Sequence, residues 1–351
     1  MAEKRLLSKG SYGCVYIPPL MCKEKEKQKR LATLAASQPM LTKLQTEGDT
    51  RDEVDSVSEI RKIPLASHYF LLPEPEICHP NAREEVTVRR SCEVPFIASE
   101  KFKDLTMIQI PYGGKSLRTA EINVASFSFR GFMKHVLEGL TLLNRHGWVH
   151  ADLHDGNILL SQNNMLPRII DFGKLIRTTE SDPTEIRNRF LVFEAGYEHI
   201  PIECLWFAGI TKTNMPSGQI MEKVLLMKES LKLMNIFADY NTEEQANDLG
   251  NFVTRYVGEN KKQATELPVF WHTVAAKFDS WSIGVLFLYI LRKLLTVPRF
   301  TQTGGEYAIA KSQILHVIRG LCCLDPYKRF LPEDAVRLLK DGSSMPMSTS
   351  S

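Results

Sequence analysis

Hydrophobic and polar positions change their spacing about one third of the way along the chain. Up to about residue 110 the apolar residues come in short runs, Met40-Leu41-Thr42-Lys43-Leu44, Tyr69 to Leu72, Glu85 to Val88 and Thr106 to Ile110. Turn or charged residues bound each run, and together they predict strands. One segment differs: Val54, Val57, Ile60 and Ile63, within Arg51 to Ile63, predict one face of a helix that stops before Pro64. Pro111-Tyr112-Gly113-Gly114 is a turn signal, and beyond it helical spacing dominates. Val136, Leu140 and Leu143 line a helix closed by Gly147. Two strand-like runs, Asn157 to Leu160 and Arg168 to Ile170, flank Asn163-Asn164. Val224, Met227, Leu231 and Met234 form a stripe on one helix predicted over Ile220 to Phe237. Ser280 to Leu291 is uncharged and apolar but closed by Asp279 and Arg292, too short for the ~20 residues a bilayer requires, and predicts a buried core helix. Ala335 to Lys340 ends a last helix, and the Ser/Met/Thr/Pro tail from Ser343 to Ser351 is expected to be disordered.

A chain of 351 residues exceeds the roughly 100–200 that one core usually organises, so two lobes are expected. Hydrophobic residues at 43% and charged residues at 24% exclude wholesale disorder, collagen-like repeats and coiled coil. Lys plus Arg (44) nearly balance Asp plus Glu (41), so no specific nucleic-acid binding is expected. The one lysine-rich run, Lys23 to Arg30, follows Pro18-Pro19 and predicts a solvated loop. Seven scattered cysteines, none in paired C-x-x-C sets, predict reduced thiols in a cytosol-like compartment. The opening MAEKRLLSKGSYG lacks the apolar core of a secretory signal, and no membrane insertion is expected.

The chemistry is concentrated in His150-Ala151-Asp152-Leu153-His154-Asp155-Gly156-Asn157 and Asp171-Phe172-Gly173. The pattern H-x-D-x-x-x-x-N followed by D-F-G fixes six residues at set spacing, and at this point the chain resembles the protein-kinase superfamily. The resemblance implies that Asp152 orients an acceptor hydroxyl and takes its proton. It implies Asn157 and Asp171 as metal ligands, and ATP with Mg2+ (Mn2+ as the alternative) as the nucleotide and cofactor. Upstream, Ser8-Lys9-Gly10-Ser11-Tyr12-Gly13-Cys14-Val15 offers G-x-x-G-x-V, with Ser8 where the family's first glycine is usual. Ser8, Gly10, Gly13 and Val15 would then cover the nucleotide, and Ile110 and Tyr112, in the hinge Ile110 to Gly114, would bind it.

Lys43 is the candidate phosphate-binding lysine because it lies in an apolar strand-like segment, whereas Lys23, Lys25, Lys27 and Lys29 lie in a charged run. Its carboxylate partner would come from the next helix: Glu53, with Glu59 as the alternative. Asp279-Ser280-Trp281-Ser282-Ile283-Gly284 resembles the D-x-W-S-x-G that opens the family's central helix. Asp325-Pro326-Tyr327-Lys328-Arg329 resembles its late D-P-x-x-R, whose arginine would pair with Glu203. The resemblance thus runs from Gly10 to Arg329.

Four departures refine it. Ala151 replaces the arginine that commonly receives a phosphorylated activation loop, which implies activity independent of phosphorylation at Thr178, Thr179, Ser181 or Thr184. His154 stands where Ser/Thr kinases usually keep a lysine, as in small-molecule kinases of the aminoglycoside and choline type. Residues from about 204 to 270 form an insert, for packing or for docking and regulation. Gly13-Cys14-Val15-Tyr16-Ile17-Pro18-Pro19-Leu20-Met21-Cys22 resembles the opening of Ser/Thr kinases encoded by large nucleocytoplasmic DNA viruses such as iridoviruses. The implied fold is α+β and two-lobed: residues 1–110 an antiparallel-sheet lobe with one helix, 111–340 a mainly helical lobe, and 341–351 a tail. The implied activity is Ser/Thr phosphorylation of protein substrates, with a small-molecule kinase or a nucleotide-binding pseudokinase scaffold as alternatives. The expected setting is the cytoplasm, either host cytoplasm or virion.

Overall fold

Cys14, Tyr16, Met40, Leu41, Leu44, Met107 and Ile108 are all buried on a four-stranded antiparallel sheet. Its strands are β1 (Arg5–Lys9), β2 (Gly13–Ile17), β3 (Met40–Gln45) and β4 (Thr106–Pro111), in the order β1-β2-β3-β4. The computed structural model describes residues 4–10, 13–123, 126–190, 196–213 and 215–340; Ser11, Tyr12 and the tail Ser343 to Ser351 lie outside the described residues. The register sets Lys43 opposite Val15 on one side and Ile108 on the other. Gly13 is required at its place for a packing reason: a Cβ there would lie 2.3 Å from the Leu44 carbonyl oxygen of β3.

The chain divides into two compact units, Met1–Lys115 with Arg168–Gly173, and Ser116–Pro167 with Lys174–Ser351. In the first, helix α1 (Lys25–Ser37) precedes β3 and helix α2 (Glu47–Arg61) follows it. Thr46 caps α2 by accepting from the Asp49 N–H at 3.3 Å, and Glu47 and Asp49 in the first turn suit the positive end of the helix. The helix therefore begins one turn before the expected Arg51, and it buries Thr50, Glu53, Val57 and Ile60.

Three stretches of this unit depart from the strand and loop expectations. Lys23 to Arg30 runs largely into α1: Lys, Glu and Gln are good helix formers, and Leu31 and Leu34 give the helix an apolar foothold on the core. Glu85 to Val88 belongs to the helix Glu85–Ser91, which buries Val88. Of Tyr69 to Leu72, Tyr69 ends a helical turn, and Phe70 bridges to Ile169.

The cysteines are the largest correction. Cys14 is bonded to Cys92 and Cys22 to Cys78, all four within the apolar core of the first unit, against the expectation of reduced thiols. Cys204, Cys322 and Cys323 are free. Each pair joins positions 78 or 56 residues apart, a proximity that no local spacing encodes.

The second unit is mainly helical, with Trp148–Val149 paired antiparallel to Ile176–Arg177. Helix Phe129–Arg145 is capped twice over. Ser128 accepts from the Gly131 N–H at 3.0 Å, and the Glu306 carboxylate accepts from Phe129 and Arg130, each at 2.8 Å. The central helix, Leu267–Leu294, is long and apolar enough to cross a membrane, yet 83% of its most apolar window is buried inside the protein, as a core helix requires. It starts twelve residues before Asp279, so that aspartate is an interior residue and not the helix opening. The single helix expected over Ile220 to Phe237 is two, Ser217–Met227 and Glu229–Phe237, broken at Lys228 in an extended conformation.

Candidate active site

In the first unit, β3 and α2 are adjacent in sequence and converge on one ion-pair cluster. Lys43 Nζ donates to Glu53 Oε2 at 2.7 Å and to Asp171 Oδ1 at 3.2 Å. Glu53 side-chain exposure is 3% and that of Lys43 is 12%, while Asp171 keeps 36%. Burial by itself would push the ammonium toward the neutral form. Asp171 and Glu53 outweigh that cost and hold the Lys43 pKa above its ordinary value, so the lysine is a fixed cation. Glu59 instead pairs with Lys62. Asp171 has φ of 65°, in the left-handed region, which is costly for most residues with a Cβ and which aspartate enters more readily than most. The Gly173 N–H donates to its Oδ1 at 3.4 Å, and Phe172 packs edge-on against Phe70 at 5.5 Å, which anchors the strained turn to the first unit.

The remaining first-unit candidates lie on the sheet and its edge. Ser8 and Val15 face each other across β1 and β2, and the Gly10 N–H donates to the Gly13 carbonyl at 2.9 Å. A Cβ on Gly10 would meet nothing within 4 Å, so its own packing leaves room above it. Ile110 pairs with Leu41, and the Tyr112 N–H donates to the Pro39 carbonyl at 2.8 Å.

In the second unit, Asp152 follows Ala151, whose φ is 62°. That strained backbone is held by the central helix: Asp279 accepts from the His150 N–H at 2.7 Å and the Ala151 N–H at 3.0 Å. Burial raises the Asp279 pKa, and His150 with these two amides opposes the rise. The Asn157 amide nitrogen donates to the Asp152 carbonyl at 2.8 Å and to Asp152 Oδ2 at 3.3 Å. Its nitrogen is thereby committed to Asp152, which leaves the amide oxygen as the donor suited to a hard cation.

The rest of D-x-W-S-x-G has equally specific work. Trp281 Nε1 donates to the Glu198 carbonyl at 3.1 Å, and Ser282 Oγ to the His199 carbonyl at 2.7 Å. Gly284 lets helix Glu306–Leu321 approach: a Cβ would sit 2.6 Å from Cys322 Sγ and 2.9 Å from Leu321 Cβ. Arg329 makes a bidentate pair with Glu203, at 2.6 and 2.8 Å, with neither side chain exposed.

Sequence reading missed three residues here. Tyr197 donates its hydroxyl to Asp152 Oδ1 at 3.4 Å. Arg118 donates to Asp155 at 2.8 and 3.0 Å, and His154 together with this guanidinium holds the Asp155 carboxyl well below the usual carboxylate range. Lys228 is fully buried and donates to the carbonyls of Tyr197 and Ile200. The only signal in the chain was a lysine interrupting an apolar helical stripe between Met227 and Glu229. A cavity of about 590 Å³ adjoins Arg118 and Tyr197, with His154, Leu286 and Tyr289 also in its wall.

Comparison with known proteins agrees in kind. The serine/threonine-protein kinase HAL5 of Candida glabrata is 28% identical over 127 residues, which is 32% of this chain and 15% of the relative. The serine/threonine-protein kinase Kist of Mus musculus is 32% identical over 111 residues, 27% of this chain and 26% of the relative. The chain thus spans about a quarter of the length of one of these curated relatives and less of the other. The family model described as protein kinase domain matches residues 1–192. That match covers more than half of the 351 residues and contains both the lysine cluster and the Asp152 and Asp171 motifs, so the chain belongs to the protein kinase domain family.

Proposed function

We propose that the chain transfers the γ-phosphoryl group of ATP to Ser or Thr hydroxyls of protein substrates. The observation that carries this reading is the Lys43 ammonium, held as a cation by Glu53 and Asp171, because a fixed charge largely withdrawn from solvent suits an anionic phosphate. Asp171 and the Asn157 amide oxygen are the hard oxygen donors that would hold Mg2+, or Mn2+ as the alternative. When bound, that ion supplies charge neutralisation for the triphosphate. Asp152, oriented by Asn157, accepts the proton of the acceptor hydroxyl as its oxygen bonds to the γ-phosphorus. The bond from that phosphorus to the β–γ bridging oxygen breaks, and ADP leaves with the electron pair. Ser8, Gly10, Gly13 and Val15, with Ile110 and Tyr112, would bind the nucleotide.

The full set of Lys43, Asp152, Asn157 and Asp171 disfavours a pseudokinase scaffold. A small-molecule kinase is favoured only by His154, whose Nδ1 is already engaged by the Gly156 N–H at 2.9 Å. Incubation with radiolabelled ATP, Mg2+ and mixed proteins, against sugars and amino alcohols in parallel, separates these readings. Label in protein is expected. Label in sugars or amino alcohols alone would favour the small-molecule reading, and label in neither would favour the scaffold. Lys43→Met and Asp152→Asn should each lower turnover at least about a hundredfold with the circular dichroism spectrum unchanged.

We further propose a large nucleocytoplasmic DNA virus, iridovirus-like, as the source, on the strength of the Gly13 to Cys22 run. Of the two settings proposed, host cytoplasm and virion, the disulfides in the first unit favour the virion, which lies outside the reducing cytosol. Near-balanced charge supports a partner list of ATP and protein substrates, without specific nucleic-acid binding, and the buried central helix supports the absence of membrane insertion.

A further inference from the structure

Four consecutive backbone carbonyls, from Tyr197 to Ile200, each accept a hydrogen bond from a buried side chain. Trp281 serves Glu198 and Ser282 serves His199, both from the central helix. Lys228 serves Tyr197 and Ile200, the latter at 3.3 Å, from the break between helices Ser217–Met227 and Glu229–Phe237. The same break is tied a second time. The Glu198 carboxylate accepts from the Glu229 N–H at 2.9 Å, from the Ser230 N–H at 3.1 Å and from Ser230 Oγ at 2.6 Å, capping the second helix. The segment 197–200 is therefore clamped by its own carbonyls and by its own carboxylate, and half of the clamp belongs to the insert. Tyr197, at the head of that segment, rests its hydroxyl on Asp152 Oδ1.

A fully buried lysine facing two carbonyl oxygens carries a desolvation cost that a leucine or methionine would avoid, so its presence is poorly explained by packing. Its position explains it. Ala151 leaves the neighbouring loop without the cation that would fasten a phosphorylated activation segment. Lys228 fastens the later part of that segment without any phosphate. Because Asn157 donates to the other Asp152 oxygen, Tyr197 and Asn157 together fix the carboxylate plane.

We propose that Lys228 and Glu198 form a permanent latch between the insert and the segment 197–200, holding Tyr197 on Asp152 so that the acceptor carboxylate is oriented without activation-loop phosphorylation. Tyr197 and Lys228 are positioning residues in this account, which rests on the kinase reading above and gives the insert a role in that same site.

The test is steady-state phosphorylation of myelin basic protein by the 351-residue chain, with kcat and the KM for ATP measured separately. Tyr197→Phe keeps the ring and removes only the hydroxyl; it should lower kcat about tenfold while leaving the KM for ATP within twofold. Lys228→Met should lower kcat by a similar factor, and the double variant should fall no further than the worse single variant, because both act through one contact. A chain with Thr178, Thr179, Ser181 and Thr184 all replaced by alanine should retain wild-type kcat within twofold. Unchanged or raised kcat in Tyr197→Phe, additive losses in the double variant, or a dead quadruple-alanine chain would each overturn the latch. Should Lys228→Met fail to fold, Glu198→Gln takes its place with the same expected loss, and full activity in it counts against the proposal. Failure of the unsubstituted chain to label any acceptor would sink the kinase reading and the latch with it, whereas transfer with equal kcat in wild type and Tyr197→Phe removes the latch alone.

Discussion

Two lysines removed from most of the solvent, Lys43 largely and Lys228 fully, show how partner chemistry decides what a cation can be used for. Lys43 faces two carboxylates, and its pKa rises despite burial. Lys228 faces two carbonyl dipoles; burial dominates, Glu198 and Cys204 only partly oppose it, and its pKa is pushed down to about 8 from an ordinary 10.5. The consequence for stability has a definite sign. Between roughly pH 8 and 10.5 the unfolded chain holds a proton on this lysine that the folded chain has released, so folding stability gained from this group rises across that window. At about 1.4 kcal/mol per pH unit the full rise is on the order of 3 kcal/mol. Urea unfolding of wild type and Lys228→Met at pH 7.5 and pH 10 isolates it, since every other titrating group is common to both chains. The expected result is that the wild type gains stability relative to the variant over that interval. Parallel pH dependence in the two would show that the lysine is not desolvated as described.

Among the elements, the central helix does the most positioning: Asp279 holds the backbone of His150 and Ala151, Trp281 and Ser282 hold Glu198 and His199, and Gly284 admits a neighbouring helix. Arg329 and Glu203 tie a distant turn to the first turn of helix Ile202–Lys212, with Trp281 5.4 Å from the guanidinium. Arg329→Met leaves the Glu203 carboxylate buried without its partner and should cost about 3–5 kcal/mol in urea unfolding; adding Glu203→Leu should restore most of that. A single-variant loss below about 1 kcal/mol would show that solvent reaches the pair. These contacts explain which parts of the molecule were legible in its sequence. Asp152, Asn157 and Asp171, and the pairing of β3 with the helix after it, depend on short spacings that the chain itself imposes, and Lys43 could be told from its neighbours by its apolar surroundings. The break at Lys228, the Tyr197 contact and the bonding of Cys14 to Cys92 depend on residues 31 to 78 positions apart, and no local period carries such information. Lys23 to Arg30 was misread for a different reason: a charged run is compatible with either loop or helix, and Leu31 and Leu34, just beyond it, settle the matter by packing on the core.

At the scale of the whole molecule, the two units are stabilised by different means. The first carries both disulfides, joining residues 78 and 56 positions apart, and the three free cysteines all belong to the second. Long closed loops lose much unfolded-state entropy, and each bond is worth about 2–4 kcal/mol to the unit that contains it. The second unit relies on apolar burial along the Leu267–Leu294 helix, and all four tryptophans, Trp148, Trp206, Trp271 and Trp281, lie within it. This division makes the units separately observable. Denatured without reductant, the chain should titrate three thiols, rising to seven after reduction. Reduction should then weaken hydrogen-exchange protection of the β2 and β3 amides strongly, while the tryptophan-fluorescence unfolding midpoint in urea shifts little. Seven thiols before reduction would return the chain to the reduced state that its scattered cysteines suggested. An equal loss of stability by both probes would mean that the bonds of the first unit support the second as well, and that Lys43 and Asp152 unfold in one cooperative transition.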